Sequence, residues 1–112
     1  DHDYGSHASV FVPFFGVSDA ATITGTATLA RVKNTVVLPC YNIRLPQGGY
    51  QLIIEPPLQN YPVGDDVADA TRSNQVLEQA VRKAPEQYMW LHRRFKSRPN
   101  AKKFRYNPGE TR

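Results

Sequence analysis

Residues 9–31 read SVFVPFFGVSDAATITGTATLAR, and the fold turns on what this stretch becomes. Ser9–Val17 is apolar at seven of nine positions, yet Pro13 cuts it and Gly16 closes it. Proline has no N–H to give a β-ladder, which argues against a central strand. The segment reads as an apolar loop with room for one turn of helix. Phe11, Phe14 and Phe15 then need a cover, either the domain's own core or a ligand. Ser18 and Asp19 follow as a helix start, with Asp19 near the positive end of the dipole and Arg31 and Lys33 near the negative end. The spacing predicts a thin helix with Ile23, Ala27, Leu29 and Ala30 on its apolar face. Gly25 would allow close approach to a neighbour, and Asn34 would end the helix.

Downstream, TVVLPCYNIRL (35–45) predicts a buried strand at Thr35–Leu38, with Pro39 as its bulge or end. PQGG (46–49) is a turn signal, and YQLIIE from Tyr50 to Glu55 is a second strand, so the two pair as an antiparallel hairpin. A Pro-rich connection leads to Asp65, where the period becomes helical: Val67, Ala70, Asn74, Leu77, Val81 and Ala84 fall on one face. Asp65 and Asp66 open that helix, and Arg82 and Lys83 close it. Pro85 stops it and starts another, PEQYMWLHRRF, with Tyr88, Leu91 and Phe95 sharing a face. Upstream, DHDYG (1–5) reads as a strand end running into a turn. The chain divides into one domain over residues 1–99 and a basic, flexible tail over 100–112.

At 112 residues there is material for one modest core. No run approaches the roughly 18 apolar residues of a membrane helix, and the acidic opening is unlike a signal peptide. The chain begins without Met, as a processed chain, one cut at a chosen boundary or a piece of something larger would. Cys40 is the single cysteine, so no internal disulfide can form. Its apolar neighbours mark it as a small buried hydrophobe rather than a nucleophile. Charge is split. Residues 1–90 hold six Lys/Arg against nine Asp/Glu, and residues 91–112 hold eight Lys/Arg against Glu110 alone. A face for phosphates or an anionic membrane therefore belongs to the last fifth of the chain.

Catalytic signals are missing. The histidines are His2, His7 and His92, and the residues five positions after them are His7, Val12 and Ser97. None is the Asp or Glu that a His–carboxylate acyl-transfer pair on one helix turn requires. There is no Gly-rich phosphate loop and no G-x-S-x-G elbow. No His pair has helical zinc spacing, and a metal at His2, Asp3 and His7 is disfavoured. The sequence implies no metal and no cofactor.

DHDYG (1–5), SVFVPFFGV (9–17), TGT-x2-LAR (24–31), VVLPCYNIR (36–44), GYQLIIEPPL (49–58) and PEQYMWLHRRFKSRP (85–99) together resemble the C-terminal part of the lipid A biosynthesis acyltransferases. The likeness runs in order through residues 1–99. It lies nearest the members that transfer laurate to the Kdo2-lipid IV(A) intermediate, and the myristoyl enzymes are less similar. The resemblance implies an α/β fold, the C-terminal part of a lysophospholipid-acyltransferase-like mixed sheet flanked by helices. It also implies an enzyme on the cytoplasmic face of the bacterial inner membrane, taking a fatty acyl chain from acyl carrier protein. The family's catalytic His-x4-Asp/Glu motif lies upstream of the acidic turn and is absent here. The expectation is a C-terminal third that is inactive alone.

The resemblance makes Asp1, His2 and Asp3 counterparts of the acceptor-site turn of related glycerolipid acyltransferases. Phe11, Val12, Phe14 and Phe15 are then acyl-channel candidates, with ordinary core packing as the alternative. Leu91 and Tyr88 would seat the last helix, so that Arg93, Arg94 and Lys96, with Arg98, project toward phosphate groups. A solvated basic tail is the competing reading of that segment. A small nucleic-acid-binding module is the other function class that the basic, aromatic segment suggests. The acidic body speaks against it, because such binders present a basic face on the folded body.

Overall fold

The computed structural model describes residues 8–99 and Tyr106. Ser9–Phe14 (β1) and Val17–Ile23 (β2) form an antiparallel hairpin, so the reading of a loop followed by a helix is corrected here. The turn is Phe15 and Gly16, both at positive φ (46° and 77°), the twist that suits a two-residue hairpin. Pairing runs from Ser9↔Ile23 to Val12↔Ala20 and then slips to Phe14↔Val17. Ser18 and Asp19 therefore stand opposite Pro13 alone, a β-bulge where a missing N–H does least harm. In a two-stranded sheet neither strand is central, which is why proline is tolerated. Thr22 and Ile23, β-branched, fit the pleat better than a helix.

The helix that remains is Gly25–Ala30 (α1), one and a half turns with Ala27 and Ala30 buried and Leu29 exposed. Asn34, at positive φ, lies in the turns beyond it. The second hairpin forms as expected from Cys40–Arg44 (β3) and Tyr50–Ile54 (β4), in register from Cys40↔Ile54 to Arg44↔Tyr50. Strand β3 starts after Pro39 rather than at Thr35, and Cys40 is exposed rather than buried. Leu45 and Gly49 close the turn, where Gly48 and Gly49 supply the positive φ.

Asp66–Lys83 (α2) is the long helix that the periodicity predicts. The Asp65 carboxylate caps it by accepting from the Ala68 N–H at 2.7 Å. Ala70, Asn74 and Val81 are buried, while Val67 is exposed. Asp69 is buried too, accepting from the N–H groups of Val63 (2.8 Å) and Gly64 (3.2 Å), which fixes the chain's entry into the helix. The helix packs across β1.

Beyond it, Pro85–Gln87 makes one 3-10 turn, and no longer helix follows among the described residues. Tyr88 is extended, and the Pro85 carbonyl accepts the Trp90 indole N–H at 2.7 Å as well as the Tyr88 N–H. That carbonyl is the one a continuing α-helix would offer to Met89. Leu91 is 96% exposed, so it seats nothing on the core.

Among the described residues the architecture is mixed α/β: two separate two-stranded antiparallel sheets and one long helix. No wider mixed sheet forms among them. No helix among them is long and apolar enough to cross a membrane.

Candidate functional site

Two segments, α2 and the C-terminal segment, converge on the first hairpin. From α2, Asn74 Nδ2 donates to the Pro13 carbonyl (3.0 Å) and to Thr22 Oγ1 (2.9 Å), bridging both strands. One turn on, Glu78 Oε1 accepts the Phe15 N–H at 2.7 Å, satisfying a turn donor that the ladder leaves unpaired. From the C-terminal segment comes Arg94, 2% exposed, which donates to the Ala21 carbonyl and to Thr22 Oγ1 (3.1 Å). Its guanidinium lies 4.9 Å from the Phe14 ring centroid, within cation–π range. Thr22 Oγ1 gives its own proton to the Ala20 carbonyl (3.2 Å), so this hydroxyl is fully engaged.

Around these polar groups stands an aromatic wall. Phe14 meets Phe15 edge-on at 4.8 Å and Phe95 at 5.8 Å; Phe15 meets Trp90 at 5.6 Å, and Trp90 meets Tyr88 at 4.8 Å. Arg82 lies over the outer side of Phe15 at 5.3 Å. A cavity of about 140 Å³ lies beside Arg94, lined by Thr22, Thr26, Ser73, Asn74 and Leu77.

This geometry sorts the sequence-derived candidates. Val12 and Phe14 are completely buried and belong to the core, whereas Phe11 and Phe15 keep part of their surface. The outward projection expected of Arg94 is corrected: its charge points inward, onto backbone and ring. Arg93 is exposed, Lys96 is half-buried, and Arg98 lies 3.8 Å from Asp19. Asp1, His2 and Asp3 lie outside the described residues. So does the tail apart from Tyr106, whose hydroxyl accepts the Phe95 N–H at 3.2 Å. Among the described residues no group of three or more His, Cys, Asp or Glu could hold a metal ion.

Sequence reasoning missed the polar grip altogether. Asn74 falls on the apolar stripe of α2, and a polar amide there is the one sequence signal of a buried hydrogen-bonding role.

The second hairpin is tied to α2 differently. Lys83 Nζ donates to Glu55 Oε1 (2.7 Å) and to the Tyr41 hydroxyl, which itself donates to Glu55 Oε1 at 2.7 Å. The hydrogen bond from Lys83, then that from Tyr41, lowers the Glu55 pKa, and the bond to Glu55 raises that of Lys83. Both stay charged across neutral pH, so this trio is a clasp and not a proton shuttle. It borders a cavity of about 260 Å³ that includes Leu58, Arg72 and Gln79.

A family model for bacterial lipid A biosynthesis acyltransferases matches residues 1–97. This chain belongs to that family. It is 51% identical over 107 residues to the lipid A biosynthesis lauroyltransferase of Escherichia coli K12, covering 95% of this chain and 35% of the relative. The palmitoleoyltransferase of the same organism is 42% identical over 100 residues (88% of this chain, 32% of the relative). Its myristoyltransferase is 33% identical over 100 residues (88% and 30%). This lipid A acyltransferase chain thus spans about a third of the length of the curated relatives it matches. Within it, PEQYMWLHRRFKSRP is the segment that delivers Trp90 to the outside of the hairpin and Arg94 to its inside.

Proposed function

We propose that this chain forms one side of the lipid-handling site in an enzyme that moves a lauroyl group from acyl carrier protein to Kdo2-lipid IV(A). The observation that carries this reading is the 51% identity to a lauroyltransferase along 95% of the chain, against 33% to a myristoyltransferase. The two hairpins and α2 would be parts of a larger mixed sheet flanked by helices, of the lysophospholipid-acyltransferase kind.

In the reaction the acceptor hydroxyl oxygen attacks the thioester carbonyl, the C–S bond breaks, and the leaving thiol takes up the proton. A histidine acts as general base on the hydroxyl, and a carboxylate orients the imidazole. Backbone or side-chain donors must hold the oxyanion as it forms. No histidine of this chain has that carboxylate partner in sequence, so the base comes from the rest of the enzyme and these 112 residues alone transfer nothing.

What this chain contributes is binding. Asp1, His2 and Asp3 hold the acceptor, and Arg93 and Lys96 meet its phosphates. Phe11 and Phe15 border the acyl chain, with Val12 and Phe14 as rigid backing and Arg94 holding the wall from behind. Met89, Trp90 and Leu91, consecutive and exposed, suit the cytoplasmic surface of the inner membrane, where an indole sits well at the boundary with water.

The test is acyl selectivity of the full-length enzyme that carries this chain, assayed on Kdo2-lipid IV(A) with lauroyl-, palmitoleoyl- and myristoyl-carrier protein. Laurate should be preferred by at least about tenfold in kcat/KM, the scale on which apolar pockets discriminate chain length. Equal use of all three donors would overturn the lauroyl assignment. No transfer to the glycolipid at all would overturn the whole reading.

A further inference from the structure

We propose that the outward face of the β3–β4 hairpin is the seat of the rest of the acyltransferase polypeptide, and is not a water-facing surface of the working enzyme. This rests on the reading above, in which the chain works as part of a longer enzyme.

Directly paired residues of an antiparallel ladder share a face. Cys40 with Ile54, Asn42 with Leu52, and Arg44 with Tyr50 therefore line one side. Tyr50 is 74% exposed, Leu52 60% and Ile54 61%, and Cys40 is exposed as well. Val36 and Leu38, four and two residues before Cys40, are also exposed and extend the apolar run. The opposite face is accounted for: Tyr41 and Ile43 meet Leu77 and Val81 of α2, and Ala84 just after it, around a cavity of about 150 Å³.

A sheet covered on one side only normally shows polar residues on the other. Here Tyr50, Leu52 and Ile54, with Cys40 beside Ile54, put apolar side chains along one strand of the outward face as well, as in a strand pair buried on both sides. Contiguous exposed apolar side chains of this kind mark interfaces.

The occupant follows from length and charge. The chain covers 35% of the lauroyltransferase, so about two-thirds of that polypeptide lies beyond the matched region. Arg44 is the one charged side chain among these described positions, too few for an anionic bilayer, which draws clusters of Lys and Arg. The remaining polypeptide of the same enzyme fits a mainly apolar seat with a single charge best.

Cys40, the only cysteine of the sequence, is a built-in reporter of this face. The experiment uses E. coli lauroyltransferase with its matching third replaced by residues 1–97 of this chain. N-ethylmaleimide labelling of Cys40 is read by mass spectrometry on the tryptic peptide 34–44. In the folded chimera Cys40 should react at least about a hundredfold more slowly than in urea, since access then requires local opening. Leu52→Ser should lower the melting temperature by several degrees; if that variant does not fold, labelling of the parent chimera decides alone. Reaction at the denatured rate overturns the proposal. Protection that vanishes on dilution points to a second copy, and protection that needs added vesicles points to lipid; either result also overturns it. Transferase activity is read separately. An active chimera with an open Cys40 sinks the interface and spares the function, whereas a protected Cys40 without transfer does the reverse.

Discussion

Hairpin β1–β2 turns over on Phe15 and Gly16 and buries Val12, Phe14, Ala20 and Ala21, whereas β3–β4 turns over at Gly48 and Gly49 and leaves Tyr50, Leu52 and Ile54 in water. The two have the same topology and nearly the same length. They differ in what grips them. Asn74, Glu78 and Arg94 reach the first hairpin from two distant segments and bond to its backbone or to buried Thr22. The second is held at its rim, by Lys83 with Glu55 and Tyr41, and by Gln87 exchanging bonds with the Arg44 backbone at 2.8 and 3.1 Å. Buried polar grips act in a low dielectric and are costly to break. Exposed ones compete with water and add little. A hairpin finished within the described residues thus sits beside one whose second face is still open.

The contrast predicts a ranking of substitutions by denaturant unfolding. Phe14→Ala should cost about 3–5 kcal/mol, since it empties a fully enclosed ring site. Leu52→Ala in this chain by itself should stay within about 0.5 kcal/mol. Equal losses at the two positions would break the comparison.

Arg94→Met should cost about 1.5–3 kcal/mol, because the Ala21 carbonyl and Thr22 lose a charged donor. Arg93→Met next door should leave the unfolding midpoint unchanged. A reversed order would return Arg94 to the surface. Asn74→Ala should cost about 1–2 kcal/mol through the orphaned Pro13 carbonyl; no loss would mean that water replaces the amide.

The smallest effect is electrostatic and belongs to the second hairpin. Glu55 is shifted below its ordinary 4.5, so its contribution is full above about that pH and is lost as pH falls through its folded value. Lys83 is shifted above its ordinary 10.5, so its contribution is full below that pH and is lost as pH rises through its folded value. Stability should show a shallow plateau between these limits, and Glu55→Gln should flatten both shoulders in a pH series of melting temperatures.

Much of this was legible in the residues. Asp65 and Lys83 mark the ends of α2 because caps and dipole charges are local chemistry, and PQGG marks its turn because glycine is needed at positive φ. The lipid A resemblance was legible too. The first hairpin was not. Pro13 reads as a strand breaker until its partner strand is known to carry an extra residue opposite it, and that pairing is a relation between segments. The nature of Arg94 was equally hidden. Beside Arg93 in the sequence it looks like half of a cationic pair, and only the convergence of the Ala21 carbonyl, Thr22 and the Phe14 ring makes an interior place for it. Helical spacing in PEQYMWLHRRF failed for a related reason: the Trp90 indole takes the carbonyl on which the next turn would have been built.

That neighbouring pair has a chemical consequence. Arginine-selective dicarbonyl reagents attack guanidinium groups that water can reach, so they should mark Arg93 and pass over Arg94 while the first hairpin stays closed. The ratio of the two adducts would then gauge, from a single peptide, how often the aromatic wall comes apart.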